Sequence, residues 1–302
     1  MSSLIDSELK QQVRQFYDEV GWREVGEGVY QNARFEDLRP VSRDYIHRCH
    51  LRVARHLMPN GRYFLDAGSG PIQYPEYLIY SRGYQIRVCA DISIVALQEA
   101  RKRIGDRKDG GQGLFVVADI ANLPFRAEAF DGVVSLHTIH HLPENEHVQA
   151  FLELYRVLAP ARTAVVVNGW QRTSLVSLFI LPYRWMKKIK LHLRRMINQS
   201  GPTRQAVSIS RGQAFKQKRG TLVTKRNAAW LKREVGAKLP VEIYVWRSVS
   251  VSFLRAYIHE RMAGRWILEK LYQFEERFPR FWGEHGQYPL IVIRKDQAGS
   301  HG

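Results

Sequence analysis

Apolar positions along the chain change their period near residue 62. Before it, they recur at helical spacing: Ser7 to Val20 forms one such stretch. Val41, Tyr45, Cys49, Val53 and Leu57 mark a second, over Val41 to Leu57, with Asp44 near its start. Between them, Gly21 to Pro40 is a Gly- and aromatic-rich connection with room to fold over a neighbouring surface. After Arg62, short apolar runs take over: Tyr63–Ala67, Ile86–Ala90, Leu114–Ala118, Gly132–Leu136 and Thr163–Asn168. Most are apolar on both faces, which is how parallel strands covered by helices read. Helical stretches at Pro75–Ser81, Ile94–Arg103 and Asn145–Val157 lie between them. Alternation of this kind predicts an α/β fold, a Rossmann-like, doubly wound and mostly parallel sheet.

The alternation stops after Trp170 and resumes near Lys225 with a predicted helix to Val235, then a strand at Val241–Trp246. A helical region over Phe253–Phe278, a turn at Gly286-Gln287-Tyr288-Pro289 and a last strand at Leu290–Arg294 complete a predicted set of seven strands. The expected organisation is a helical cap over 1–60, a core over 61–170, an insertion over 171–224, completion of the sheet over 225–295, and a disordered tail over 296–302.

Composition adds one fact to this pattern. The chain has 302 residues and a formal net charge of +17. Gln171 to Pro240 holds 17 Lys and Arg against a single acid, Glu234, so nearly all the excess belongs to one segment. Tyr183, Met186, Ile189, Leu193 and Ile197 have near-helical spacing there, with Arg184, Lys187, Lys188, Arg194 and Arg195 on other faces. A cationic amphipathic helix preceded by apolar Leu175–Leu181 suits either an anionic membrane surface or a cap packed on the body. Gln199 to Arg219, rich in Ser, Gly, Lys and Arg, is expected to be mobile and to order over an acceptor. The apolar stretch Leu175–Met186 contains Pro182 and Arg184 and falls short of the ~20 residues a bilayer span needs. The opening MSSLIDSELKQQ is polar, so no secretory leader is expected. Cys49 and Cys89 stand in unlike contexts without a CxxC pair, which suits a reducing cytoplasm and excludes a disulfide scaffold.

The candidate chemistry begins at Phe64-Leu65-Asp66-Ala67-Gly68-Ser69-Gly70-Pro71, where a strand ends and two glycines turn the chain toward a helix. A glycine turn by itself is an ordinary connection. Here it opens with an acid, Asp66, which suits a ligand carrying an ammonium group and disfavours a pyrophosphate. Asp91 ends the next strand, where an acid accepts from ribose hydroxyls, and Asp119 ends the third, placed to accept from an adenine amino group. Singly, each acid reads as a helix cap or a solvated loop residue. Together they point to one nucleoside-binding crevice.

Residues 62–170 resemble class I S-adenosylmethionine-dependent methyltransferases of the small-molecule group related to the ubiquinone and menaquinone enzymes. The stretches that carry the resemblance are Leu65–Gly70, Ala118–Phe125, Phe130–Ser135 and Glu153–Pro160. It implies that S-adenosylmethionine is the co-substrate and that Asp66, Gly68 and Gly70 hold its methionyl end. Asp91 and Ile92 would hold the ribose, Asp119 and Ile120 the adenine, and His137 would lie beside the sulfonium. Two departures stand out: Ile72 and Ala161 occupy positions where the family often has glycine.

The segment Leu136-His137-Thr138-Ile139-His140-His141-Leu142 would face the methyl group, and His140 or His141 has the basicity to deprotonate an acceptor such as a phenol. Each histidine singly reads as a packing or capping residue. No metal site is expected, since no carboxylate or cysteine stands beside them at ligand spacing. The segment also lacks the Asn/Asp-Pro-Pro-aromatic sequence that enzymes methylating base amines resemble one another in. The expected reaction is therefore O- or C-methylation of a small or lipid-linked acceptor, with peripheral contact to anionic membrane. An RNA substrate gripped by the basic insertion, or a non-catalytic binding module, are alternatives, RNA being the less expected partner.

Overall fold

The computed structural model describes residues 2–22, 24–26, 29–30, 36–105, 112–171, 185, 189 and 223–297. Seven strands form one sheet: β1 (Gly61–Ala67), β2 (Tyr84–Asp91), β3 (Gln112–Val117), β4 (Phe130–Leu136), β5 (Leu158–Val167), β6 (Val241–Arg247) and β7 (Tyr288–Arg294). Their order across the sheet is β3-β2-β1-β4-β5-β7-β6. The first five run parallel, and β7 is antiparallel to both β5 and β6. Strand order reverses between β1 and β4, the crevice where open α/β sheets bind ligands.

The described helices are α1 (Ser2–Phe16), α2 (Pro40–Leu51), α3 (Glu76–Ile79), α4 (Ile94–Gly105), α5 (His147–Val157), α6 (Ala228–Trp230), α7 (Val251–Tyr257), α8 (Gly264–Arg277) and α9 (Pro279–His285). Wide turns extend α1 through Tyr17–Gly21 and α6 through Leu231–Val235. Residues 24–26 and 29–30 pair as a short hairpin.

Alternation along the strands builds the core in two layers. Leu65, Ala67 and Val133 face one side, with Phe151 and Leu154 of α5 and Leu231 and Val235 after α6. Phe64, Cys89, Val134 and Val165 face the other, with Leu97 and Ile104 of α4. A third cluster joins α2 to α7 and α8 through Val41, Tyr45, Ile46, Leu254 and Leu268. At its edge lies a buried ion pair. Arg52 Nη1 donates to Glu275 at 2.9 Å and to the Trp246 carbonyl at 2.9 Å, and the Tyr45 hydroxyl donates to Glu275 at 2.7 Å. Helices α2 and α8 are thereby tied to the end of β6.

Two expectations change. The helical region over Phe253–Phe278 is two helices, because the chain breaks at Ala263, which is left-handed at φ 53°. The helix expected over Pro75–Ser81 shortens to Glu76–Ile79. Residues Pro160-Ala161-Arg162 lie within β5, where the pairing with β4 shifts register, from Phe130 opposite Leu158 to Gly132 opposite Thr163. Ala161 absorbs the bulge at φ 57°, and Ile72 is left-handed too, at φ 55°. These are the two positions where the resembled family often has glycine. A side chain there is tolerated at the cost of backbone strain. The basic insertion lies outside the described residues apart from its ends and two single positions. Those ends are pinned together: Gln171 N donates to the Arg226 carbonyl at 2.7 Å and Thr224 N to that of His140 at 2.8 Å.

Ala161 is exposed, so Ala161→Gly removes left-handed strain without removing packing. The variant gains about 0.5–1 kcal/mol after the entropy cost of glycine. Thermal denaturation should show a rise of about 1–2 °C; a fall would contradict the bulge.

Candidate functional site

A cleft of about 640 Å³ opens at the carboxyl ends of the parallel strands. Its lining includes Asp66, Gly68, Gly70, Asp91, Ile92, Asp119, Ile120 and His137, together with His140 and His141. The structure thus brings every residue singled out from the sequence to one cavity.

The glycine loop takes its shape from two left-handed residues, Gly68 at φ 75° and Gly70 at φ 54°. Gly68 N donates to the Ala90 carbonyl at 2.7 Å, which draws the turn against the end of β2. A Cβ on Gly68 would lie 2.3 Å from the Thr138 side chain, so only glycine fits between β1 and the segment after β4. Gly70 N donates to Asp91 Oδ2 at 2.8 Å, and Ser93 N to Asp91 Oδ1 at 2.8 Å. Despite these donors, burial pushes the Asp91 carboxyl up to about 6.

Asp66 has a partner that spacing along the chain does not reveal. The fully buried Arg87, on β2, forms a short ion pair with its carboxylate and donates to the Tyr77 carbonyl at 2.7 Å. Burial raises the Asp66 carboxyl above its ordinary value, and the attraction of Arg87 works against that. Asp66 is thus a strut as well as a lining residue, and its charge is already balanced from behind.

Asp119 makes a short ion pair with Lys10 of α1, and Lys10 also reaches Glu146 at 2.6 Å. Helix α1 and its wide turn lie over the cleft, contributing Val13, Phe16, Tyr17 and Trp22 to its lining. Tyr17 stacks on Trp22 with ring centres 5.1 Å apart. The Asp18 carboxylate accepts from the Ser93 hydroxyl. From the connection between α1 and α2, Glu36 also lines the cleft.

Among the histidines, His137 is left-handed at φ 57°, with its N–H held by the Val167 carbonyl at 2.7 Å. Burial, with Arg247 next, drives its imidazole down to about 3, so it is neutral at pH 7. His140 is buried with Nδ1 on Asn168 Oδ1, and burial holds it well below the ordinary histidine value. That departs from its expected role as a base near neutrality: a desolvated imidazole is a weak one. His141 Nε2 and the Tyr17 hydroxyl are hydrogen-bonded at 2.9 Å. Both cysteines are buried and neither is among the lining residues, and burial pushes their thiols up to about 12.

The far half of the cleft was not legible from the sequence. Tyr74 and Tyr77 come from around α3, Lys225 from the return of the insertion, Arg247 from β6, Ser250 and Ser252 from the start of α7, and Tyr288 from β7. None stands in a motif, and no periodicity marks them.

The strand order, the reversed last strand and a nucleoside-sized cleft with three strand-end acids define the class. The chain carries an S-adenosylmethionine-dependent methyltransferase domain of Rossmann-like fold over residues 65–166. Residues 65–166 match the family model described as a methyltransferase domain. A tRNA (carboxymethyluridine(34)-5-O)-methyltransferase from Arabidopsis thaliana is 28% identical over 159 residues, which is 45% of this chain and 36% of that protein. A similarly named protein, alkbh8 of Xenopus tropicalis, is 22% identical over 185 residues, 55% of this chain and 26% of that one. The chain thus spans about a third of the length of these curated relatives, or less. Among solved structures, geranyl diphosphate C-methyltransferase from Streptomyces coelicolor A3(2) superposes with a TM-score of 0.52 at 13% identity, covering 95% of this chain and 98% of that one. At that identity the likeness is one of fold. The kinship to the ubiquinone and menaquinone subgroup does not emerge from these comparisons. No described helix is long and apolar enough to cross a membrane.

Arg87→Met leaves the Asp66 carboxylate buried without its partner. Urea denaturation should show a loss of about 3–5 kcal/mol, partly recovered in the double variant Arg87→Met/Asp66→Asn. An unchanged midpoint would remove the pair from its structural role.

Proposed function

We propose that this chain transfers the methyl group of S-adenosylmethionine to oxygen or carbon of a small or lipid-linked acceptor seated in the far half of the cleft. One observation carries the reading. The three acids and the glycine loop share a single cavity with His137, Tyr288 and Arg247, so donor and acceptor have adjoining places. Its volume is within the ~300–1,000 Å³ usual for small-molecule sites.

In this reading Gly68, Gly70 and Asp66 hold the methionyl end. Asp91 and Ile92 take the ribose, Asp119 and Ile120 the adenine, and His137 lies beside the sulfonium. The donor supplies a methyl group already activated on positive sulfur, so alignment and exclusion of water supply much of the catalysis. Lys10 must yield Asp119 to the adenine, and α1 is the element that closes over it. Where the acceptor has to lose a proton, His141 with Tyr17 is better suited than the desolvated His140.

The second reading is methylation of RNA. It is favoured by the names of the curated relatives and by the basic insertion, whose two ends meet at the cleft rim. The cleft would then take one extruded nucleotide. RNA affinity that falls steeply between 50 and 200 mM salt would support it. Salt-insensitive or absent binding would favour the small acceptor.

Asp91 offers a test of the donor site by calorimetry with S-adenosylhomocysteine. Ribose hydroxyls donate to the ionised carboxylate, so binding favours loss of its proton. Affinity should therefore rise from pH 5 to pH 7, through the value near 6 to which burial lifts this group. Asp91→Asn should weaken binding about tenfold or more and flatten the pH dependence. A flat profile in the unsubstituted chain would overturn the assignment. Labelled S-adenosylmethionine incubated with the chain and cell extract, followed by analysis of the labelled product, identifies the acceptor.

A further inference from the structure

The donor half of the cleft accounts for the acids Asp66, Asp91 and Asp119. The far half has the opposite character. Arg247, at the end of β6, is only 2% exposed, yet it lines the cavity. One arm, Nη1, forms a short ion pair with Glu36, whose Oε1 also accepts from Asp37 N at 3.1 Å. Its Nε has no hydrogen-bond partner among the described residues. The guanidinium centre sits 4.7 Å from the centre of the Tyr288 ring and 5.1 Å from Trp246.

Lys225 brings a second cation to the same aromatic ring, its Nζ 5.9 Å from the Tyr288 centre. Its ammonium lies against Gly169, where an added Cβ would come within 2.9 Å of it. Ser250 and Ser252 add hydroxyls to the wall between, and Glu36 is the one acid among the described lining residues of this half. Two cations and one acid thus meet in this part of the cavity, the acid being held by Arg247.

A buried guanidinium donor without an acceptor is destabilising, and native structures seldom leave one so. The planar fork of arginine matches the paired oxygens of a carboxylate or phosphate. A nearby ammonium adds charge without directional demand.

We infer that Arg247 and Lys225 form an anion subsite that recognises an ionised acidic group, carboxylate or phosphate, on the methyl acceptor. This rests on the methyl-transfer reading for its biological meaning, though not for the binding itself. Glu36 fixes one edge of the guanidinium, and the Nε edge faces the ligand. The subsite selects acidic acceptors and fixes which end points toward His137.

The test is calorimetric titration of the full chain, loaded with S-adenosylhomocysteine, with benzoate, phenyl phosphate and uncharged benzamide. At least one anion should bind about tenfold or more tighter than benzamide. The preferred anion distinguishes a carboxylate from a phosphate ligand. Lys225→Met should weaken anion binding about fivefold or more while leaving benzamide and S-adenosylhomocysteine unaffected. Arg247→Lys keeps the charge and loses the fork. It should weaken the anion in a protein whose fold is verified by thermal denaturation. Equal binding of all three probes, or anion affinity untouched by Lys225→Met, would overturn the subsite. A chain that fails to bind S-adenosylhomocysteine would overturn the methyl-transfer reading instead, and the same titration on the unloaded chain still decides the subsite.

Discussion

Parallel pairing of five strands is the constraint on which the rest of the molecule depends. In a parallel ladder the strands all end on one edge, and here the register sets the stagger of those ends. Asp66 pairs opposite Cys89, two residues before β2 ends at Asp91, and Asp91 pairs opposite Val117, two residues before Asp119. The three acids therefore step outward from the switch point along the ends of β1, β2 and β3. Each is then committed locally: Asp66 to Arg87, Asp91 to two backbone N–H groups, Asp119 to Lys10.

Placing carboxylates in a desolvated crevice is costly, and the fold meets that cost in different ways. Asp66 is balanced permanently by a buried guanidinium. Among the described residues Asp91 has backbone donors alone, and burial raises its carboxyl to about 6. Asp119 borrows a lysine from the covering helix. This grading gives the cleft one rigid strut, Asp66, and two acids held by backbone N–H groups or by the covering helix. In the far half, Arg247, paired with Glu36, and Lys225 gather around Tyr288. The two halves belong to one cavity because β4 and β5 stand between them and end on the same edge.

Much of the donor half was legible in the sequence. Asp66, Gly68, Gly70, Asp91 and Asp119 end or follow apolar runs whose two-sided burial makes them stand out, and the structure lines one cleft with them. Burial lowers the basicity of His140, one of the two candidate bases, and spacing along the chain does not show burial. The histidine is buried against Asn168, which lies 28 residues further along the chain. Ala161, where the resembled family often has glycine, lies in a strand bulge, because pairing with β4 continues on both sides of it, at Leu158 and at Thr163.

The amino-acid sequence by itself determined the alternation of strands and helices, the parallel core and the acids at its strand ends. These follow from short-range patterning: buried parallel strands must be apolar throughout, and polar residues fall where they end. The tertiary structure alone decided which charges meet. Arg87 finds Asp66 across 21 residues, Lys10 finds Asp119 across 109, and Arg247 finds Glu36 across 211. Electrostatic and hydrogen-bonding partners are chosen by distance in space, and no period along the chain encodes that.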